Sequence, residues 1–295
     1  MIRCFDAELP HGVRLSCRAA GTAGPRVMLL HGFPEAAFVW DDVMLALGDR
    51  LQCLAPNLRG YERSSAPGAV AAYRARELVA DLKALIEQWG APLDLLVAHD
   101  WGGALAWNLA AQRPDLLRRL LIVNAPHPAT FLRELRDNPA QQAASQYMNF
   151  LVRPDAEVRL AEDDFARLWR FLASPWRELT LPQRQAYRAV WQRGLTGPLN
   201  WYRASPMRPP RSGQDTLSPL ALPDAAVTVR VPTHVLWGDA DQALLPGLLD
   251  GLARWVTDLT VLRVADASHW IVQEQPTLVQ GTILAQLAQG ASPMR

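Results

Sequence analysis

The chain has 295 residues, with 30 Lys and Arg against 29 Asp and Glu, and it is 49% hydrophobic and 20% charged. That length gives one large α/β domain or two modest ones with an ample core, and a net charge of +1 supplies no field to hold a polyanion, so a nucleic-acid partner is not expected. The apolar content excludes disorder, 18 Gly exclude a collagen-like repeat, and Cys4, Cys17 and Cys53 lack the C-x-x-C spacing of a structural zinc site or a disulfide framework.

The stretch Met1-Ile2-Arg3-Cys4-Phe5-Asp6 has no apolar h-region, and no apolar run reaches the ~18 residues of a membrane span. A soluble cytoplasmic protein with no membrane partner is expected. Runs 2–9 and 13–18, joined by Pro10-His11-Gly12, predict an opening hairpin. The apolar runs 27–30, 51–55, 93–98, 120–123, 233–237 and 259–264 predict strands of a parallel sheet covered on both faces. Helical patterns lie between them: Leu78, Leu82, Leu85, Ile86 and Trp89 recur at spacings of mostly three and four, one apolar stripe. The alternation predicts an α/β fold with a mostly parallel, doubly wound sheet and an antiparallel start.

Between about 128 and 232 this rhythm breaks. No apolar strand run occurs there, and the segment is helical in pattern and carries Tyr147, Trp169, Trp176, Tyr187, Trp191, Trp201 and Tyr202. It closes near Pro206-Met207-Arg208-Pro209-Pro210-Arg211, a stiff extended connector. The expected organisation is a core of 1–127 and 233–295, with 128–232 inserted as a helical cap over the strand ends. Most of these aromatics read as that insertion's own core. The basic stretch 184–193 reads as a solvated helix face.

The chemistry points to Val97-Ala98-His99-Asp100-Trp101-Gly102-Gly103, at the end of one strand and the start of one helix. Small residues two positions either side of Asp100 make a nucleophile elbow, with Asp where Ser is commonest. Asp100 alone could equally be the N-cap of the following helix. Upstream, Leu29-Leu30-His31-Gly32-Phe33-Pro34-Glu35 leaves a buried strand, and its loop can aim the Phe33 N–H at an oxyanion hole shared with the Trp101 N–H. Downstream, Asp239 and Asp241 follow a strand, and His269 follows the last one. His269 taken singly is an ordinary loop histidine. Nucleophile, acid and histidine in that order, each at a strand end, form the triad order of the α/β-hydrolase fold.

The sequence resembles the epoxide hydrolase and dehalogenase branch of the α/β-hydrolases, whose nucleophile is Asp. The likeness runs through His31-Gly32-Phe33-Pro34-Glu35, Arg59-Gly60-Tyr61, Ser64-Ser65-Ala66-Pro67, His99-Asp100-Trp101-Gly102-Gly103, Asn124-Ala125-Pro126-His127-Pro128 and Ser268-His269-Trp270. Ala98 stands where that branch usually has Gly. The family pattern places the acid on Asp241, with Asp239 the competitor. The resemblance implies epoxide opening to a vicinal diol through an ester on Asp100, hydrolysed by water that His269 activates. It also implies two phenol donors: Tyr202, within Gly197-Pro198-Leu199-Asn200-Trp201-Tyr202-Arg203, and Tyr147, within Ser145-Gln146-Tyr147-Met148-Asn149-Phe150. Both tyrosines can instead be packed aromatics.

Phe33 and Trp101 are expected to line an apolar substrate pocket. No metal or organic cofactor is called for, and the expected partner is a small apolar epoxide or organohalide. The alternative is a dehalogenase on the same Asp, for which Trp101 is present but Phe33 replaces the usual second halide donor. An arginine clamp for haloacids is missing at 101–104. A non-catalytic binding module on the same fold is the third reading. G-x-S-x-G, G-x-G-x-x-G, the P-loop and H-E-x-x-H are absent.

Overall fold

The computed structural model describes residues 1–211 and 220–289. Eight strands form one sheet: β1 (Arg3–Glu8), β2 (Arg14–Ala20), β3 (Arg26–Leu30), β4 (Gln52–Pro56), β5 (Leu95–His99), β6 (Leu120–Val123), β7 (Thr233–Gly238) and β8 (Leu259–Val264). Their order across the sheet is β1-β2-β4-β3-β5-β6-β7-β8. The opening hairpin forms as expected, with Arg3 opposite Ala19 and Glu8 opposite Arg14, and β2 continues antiparallel onto β4. Every pairing from β4 to β8 is parallel.

β5, β6 and β7 are buried along their whole length, as strands covered by helices on both faces must be. The expectation of two covered faces fails for β8. It is the sheet edge, and Val261 and Leu262 each remain 38% exposed. The apolar run at 93–98 also begins outside the ladder: the strand starts at Leu95, and Leu93 makes only an isolated bridge to Leu117.

α1 (Asp41–Leu47), α2 (Ala75–Trp89) and α3 (Asp100–Gln112) alternate with the first parallel strands. On α2 the stripe of Leu78, Leu82, Leu85 and Ile86 is buried. Between β6 and β7 the described residues form α4 (Pro128–Asp137), α5 (Pro139–Ala144), α6 (Tyr147–Leu151), α7 (Ala156–Phe171), α8 (Leu181–Gln192), α9 (Thr196–Ala204) and α10 (Asp224–Val227). Local signals start several of them. Asn138 caps α5 through Ala140 N–H, and Thr180 with Gln183 builds a capping box on α8. α7 breaks where Asp163, Asp164 and Phe165 adopt positive φ. α11 (Ile271–Glu274) and α12 (Pro276–Gln289) follow β8. Among the described residues no helix is long and apolar enough to cross a membrane.

From β3 the chain crosses to β4 on one side and returns to β5 on the other. That reversal opens a crevice at the carboxyl ends of β3 and β5, where open α/β sheets place their ligands. The loop at 31–35 and the start of α3 flank it.

Two buried histidines make stability pH-dependent. His31 Nε2 accepts the Leu58 N–H at 3.1 Å, and His127 Nδ1 accepts the Ala129 N–H at the start of α4. Burial pulls both down to about 4. Above the ordinary histidine value both rings are neutral folded or unfolded, so their contribution is fully present there. As pH falls from about 6.5 towards 4 the unfolded chain takes up protons the fold refuses. Each then costs on the order of 3 kcal/mol. Urea midpoints should fall between pH 7 and pH 4.5, and His127→Asn, which keeps a capping acceptor, should flatten that slope. An unchanged slope in the variant would show that His127 is not buried neutral.

Candidate active site

Asp100 follows the last residue of β5 and begins α3 with φ +50, a left-handed conformation that costs a non-glycine residue. Capping does not explain it. The N-cap position belongs to His99, which makes no side-chain cap bond, and the Asp100 carboxylate turns instead to the β3 loop. There the Phe33 N–H donates to Oδ1 at 2.7 Å. The Trp101 N–H lies in the first turn of α3, where backbone donors have no carbonyl of their own helix to meet.

The small flanking residues are needed because three chain segments converge. A Cβ on Gly32 would overlap the Asp100 carboxylate, and one on Gly103 would overlap Ala125. A Cβ on Gly102 would come within 2.6 Å of the His31 carbonyl and 2.7 Å of Leu30 Cβ. Ala98, in place of the usual Gly, fits fully buried on β5.

His269 reaches this carboxylate from the loop after β8, with Nε2 3.6 Å from Asp100 Oδ2. Its Nδ1 is 2.7 Å from Asp241 Oδ2, which fixes the proton on Nδ1 and turns Nε2 towards Asp100. The competitor is excluded by position: Asp239 points outward and accepts from Arg263 Nε at 2.8 Å. Asp241 is held on every side. Its Oδ1 accepts the Ala243 and Leu244 N–H groups at 2.8 and 2.9 Å, and its Oδ2 also accepts Asn124 Nδ2 at 2.9 Å.

Burial penalises charge on both His269 and Asp100, yet their pairing wins. The Asp241 and Asp100 carboxylates hold the imidazole well above its ordinary value. Despite its burial, Asp100 is held below the usual carboxylate range by the hydrogen bond and charge of His269, the charge of His99 and the Phe33 N–H. Each group thus favours the charged form of the other.

Two cavities of about 320 Å³ meet at Asp100, Tyr147 and Tyr202. One opens past Phe33, Phe171, Trp176 and His269; the other is apolar, lined by Leu105, Phe131, Met148, Trp201 and Leu244 among others. Phe33 and Trp101 both make edge contacts with Tyr202, with ring centroids at 5.2 and 4.9 Å, and the Tyr147 ring lies 6.2 Å from it. Burial first, and the Asp100 charge besides, raise both phenols, so they remain protonated donors. All seven residues singled out from sequence thus gather around one cavity junction.

Others were present in the quoted motifs without a role. Asn124, at φ +38, ties the acid's loop to β6, since its Oδ1 also accepts the Gly238 N–H. Glu35 is fully buried and accepts the Tyr187 hydroxyl at 2.7 Å and Gln273 Nε2, with His99 Nδ1 at 3.3 Å. His99 Nε2 meets the His269 carbonyl at 2.8 Å. The one available sequence signal for Glu35 was a carboxylate directly after an apolar strand and a Gly-x-Pro turn.

Comparison with known proteins places the fold in a family. A family model described as the alpha/beta hydrolase fold matches residues 25–276. The AB hydrolase superfamily protein YfhM of Bacillus subtilis is 34% identical over 94% of this chain and 95% of its own length. Epoxide hydrolase 4 of Mus musculus is 32% identical over 96% of this chain and 78% of its own. A mutant epoxide hydrolase of Bacillus megaterium, solved with its naphthyloxy-propane-1,2-diol product, superposes with a TM-score of 0.86 at 30% identity, over 96% of this chain and all of that one.

Proposed function

The chain belongs to the α/β hydrolase fold family, among its epoxide hydrolases, and on that premise we propose that it converts apolar epoxides to vicinal diols through a covalent ester on Asp100. The carrying observation is a carboxylate held by the Phe33 N–H at 2.7 Å, at the junction of two cavities that Tyr147 and Tyr202 also line. A carboxylate needs no base to act as nucleophile. One Asp100 oxygen attacks a ring carbon, the C–O bond breaks, and Tyr202 and Tyr147 donate to the oxygen as negative charge builds on it. The alkoxide takes a proton from the phenols, which are reprotonated with the proton that His269 gives up, and a hydroxyl is left beside the new ester.

Esterification removes the Asp100 charge that helps to raise His269. The imidazole can then give up its proton and serve as the base for the second step. His269 takes a proton from water, the hydroxide attacks the Asp100 carbonyl carbon, and the Phe33 and Trp101 N–H groups receive the oxyanion. Asp241 stabilises the imidazolium and keeps its tautomer. On collapse the His269 imidazolium returns its proton to the departing oxygen, the diol is released, and the new Asp100 carboxyl gives its proton to His269 and is restored as the carboxylate. Residues 128–232 act in this reading as the cap that supplies the phenols and excludes water. The same nucleophile could displace a halide, but two phenols over Asp100 suit an oxygen leaving group better.

A single turnover in ¹⁸O water, with enzyme in excess, tests the ester. The label is expected in the Asp100 side chain, because water attacks the carbonyl of Asp100, and the first diol released should be unlabelled. Label in the diol alone would overturn the covalent route.

A further inference from the structure

The loop that carries His269 is tied to a carboxylate outside the catalytic group. Glu274, the last residue of α11, accepts the Ser268 N–H on Oε2 at 2.7 Å and the Ser268 hydroxyl on Oε1 at 2.6 Å. Ser268 Oγ in turn accepts the Trp270 N–H at 3.2 Å. Both neighbours of His269 in the chain are thus fixed through Glu274.

The same Oε1 accepts a second hydroxyl, that of Ser174, from a segment one hundred residues earlier. Ser174 opens a tight turn in which the Trp176 N–H donates back to its Oγ at 3.1 Å and Ser174 bridges to Arg177. Ala173, Pro175 and Trp176 from that turn line the cavity that also exposes Asp100 and His269, and Trp176 is 42% exposed at its edge. One half-buried carboxylate therefore joins the turn over the cavity mouth to the loop of the catalytic histidine. Hydrogen bonds to an ionised acceptor are stronger than neutral ones, so each is worth holding.

We propose that Glu274 is a positioning residue with two functions: through Ser268 it sets His269 against Asp100, and through Ser174 it holds the turn 173–177 over the cavity mouth. This rests on the ester route proposed above for its kinetic consequences, but not for its structural ones. The two serines divide the work. Ser268 governs hydrolysis of the ester, and Ser174 governs access of substrate to Asp100.

Two measurements on the full chain test this. Hydrogen exchange of the free enzyme reads the latch without any chemistry: Glu274→Gln should speed exchange at Trp176, Ser268 and Trp270 together. Ser174→Ala should do so at Trp176 alone. Quenched-flow mass spectrometry with phenyl glycidyl ether then separates the half-reactions. Ester hydrolysis should slow about tenfold in Ser268→Ala and Glu274→Gln, with alkylation at saturating epoxide unchanged in Ser268→Ala. In Ser174→Ala, KM should rise several-fold while ester hydrolysis stays within twofold. Should exchange in Glu274→Gln rise at only one of the two segments, or hydrolysis in Ser268→Ala match the wild type, Glu274 is not the shared anchor. Absence of any ester in the wild type and in His269→Gln would instead overturn the proposed route, and the exchange pattern would still decide the latch.

Discussion

Replacing His269 with Gln is expected to arrest the enzyme as its ester, with turnover down on the order of 10³-fold, within the range general base catalysis supplies. The first half-reaction does not use His269 as a base. Asp100 keeps the Phe33 N–H at 2.7 Å, and the phenols across the cavity are untouched, so alkylation should proceed within about tenfold of the wild type. The second half-reaction needs a group that accepts a proton from water beside Asp100, and Nε2 at 3.6 Å is the one so placed by its bond to Asp241. Intact-protein mass spectrometry after mixing with excess epoxide should show one substrate equivalent per chain, mapping to the peptide of Asp100. Asp241→Asn should give the same arrest in milder form, because the imidazole loses the acceptor that fixes its tautomer. A His269→Gln protein that turns over at the wild-type rate, or takes up no substrate, would remove His269 from the mechanism.

The sheet and the elbow were legible in the sequence for a local reason. Buried parallel strands are short apolar runs, and the elbow is a string of residue types in one stretch of chain, so neither requires knowledge of distant neighbours. The limits were equally physical. The run at 259–264 has the same apolar composition as the central strands, yet it ends the sheet, because strand order is a property of pairing. Asp239 and Asp241 differ by two positions past β7, and only the turn after Gly238 decides that one faces Arg263 and the other His269. Glu35, Asn124 and Glu274 each act through at least one partner distant in sequence, as with Asn124 and Asp241, 117 residues apart, and Ser174 and Glu274, 100 apart. Composition and periodicity carry no trace of such contacts. Composition and periodicity read the insertion as helical, and only the family resemblance set Tyr147 and Tyr202 apart from its other aromatics. Tyr187 turned to Glu35, whereas Tyr147 and Tyr202 line the cavities beside Asp100, and hydrophobic periodicity alone does not separate them.

That last distinction carries the second large effect. Tyr202→Phe is expected to slow epoxide opening on the order of a hundredfold, the usual loss for one preorganised donor to a developing oxyanion. The hydroxyl is the only group removed. The ring keeps its edge contacts with Phe33 and Trp101, so the fold and the shape of the cavity junction should persist. Burial and the nearby Asp100 charge raise both phenols, which favours the protonated form that donates. Tyr147→Phe should act in the same direction, and the double variant should lose measurable opening, since no second donor remains to take the charge. Hydrolysis of ester already formed should stay near the wild-type rate in both single variants, because its oxyanion is received by the Phe33 and Trp101 N–H groups. The same variants separate oxygen from halogen as the leaving group. A departing halide would lean on Trp101, so with a haloalkane the damaging change would be Trp101→Phe and the tyrosine variants would react nearly as well as the wild type. Pre-steady-state alkylation by an epoxide and by a bromoalkane of matched size supplies the comparison. Full epoxide-opening rates in the tyrosine variants, or reaction with the bromoalkane alone, would transfer the assignment from epoxide hydrolysis to dehalogenation.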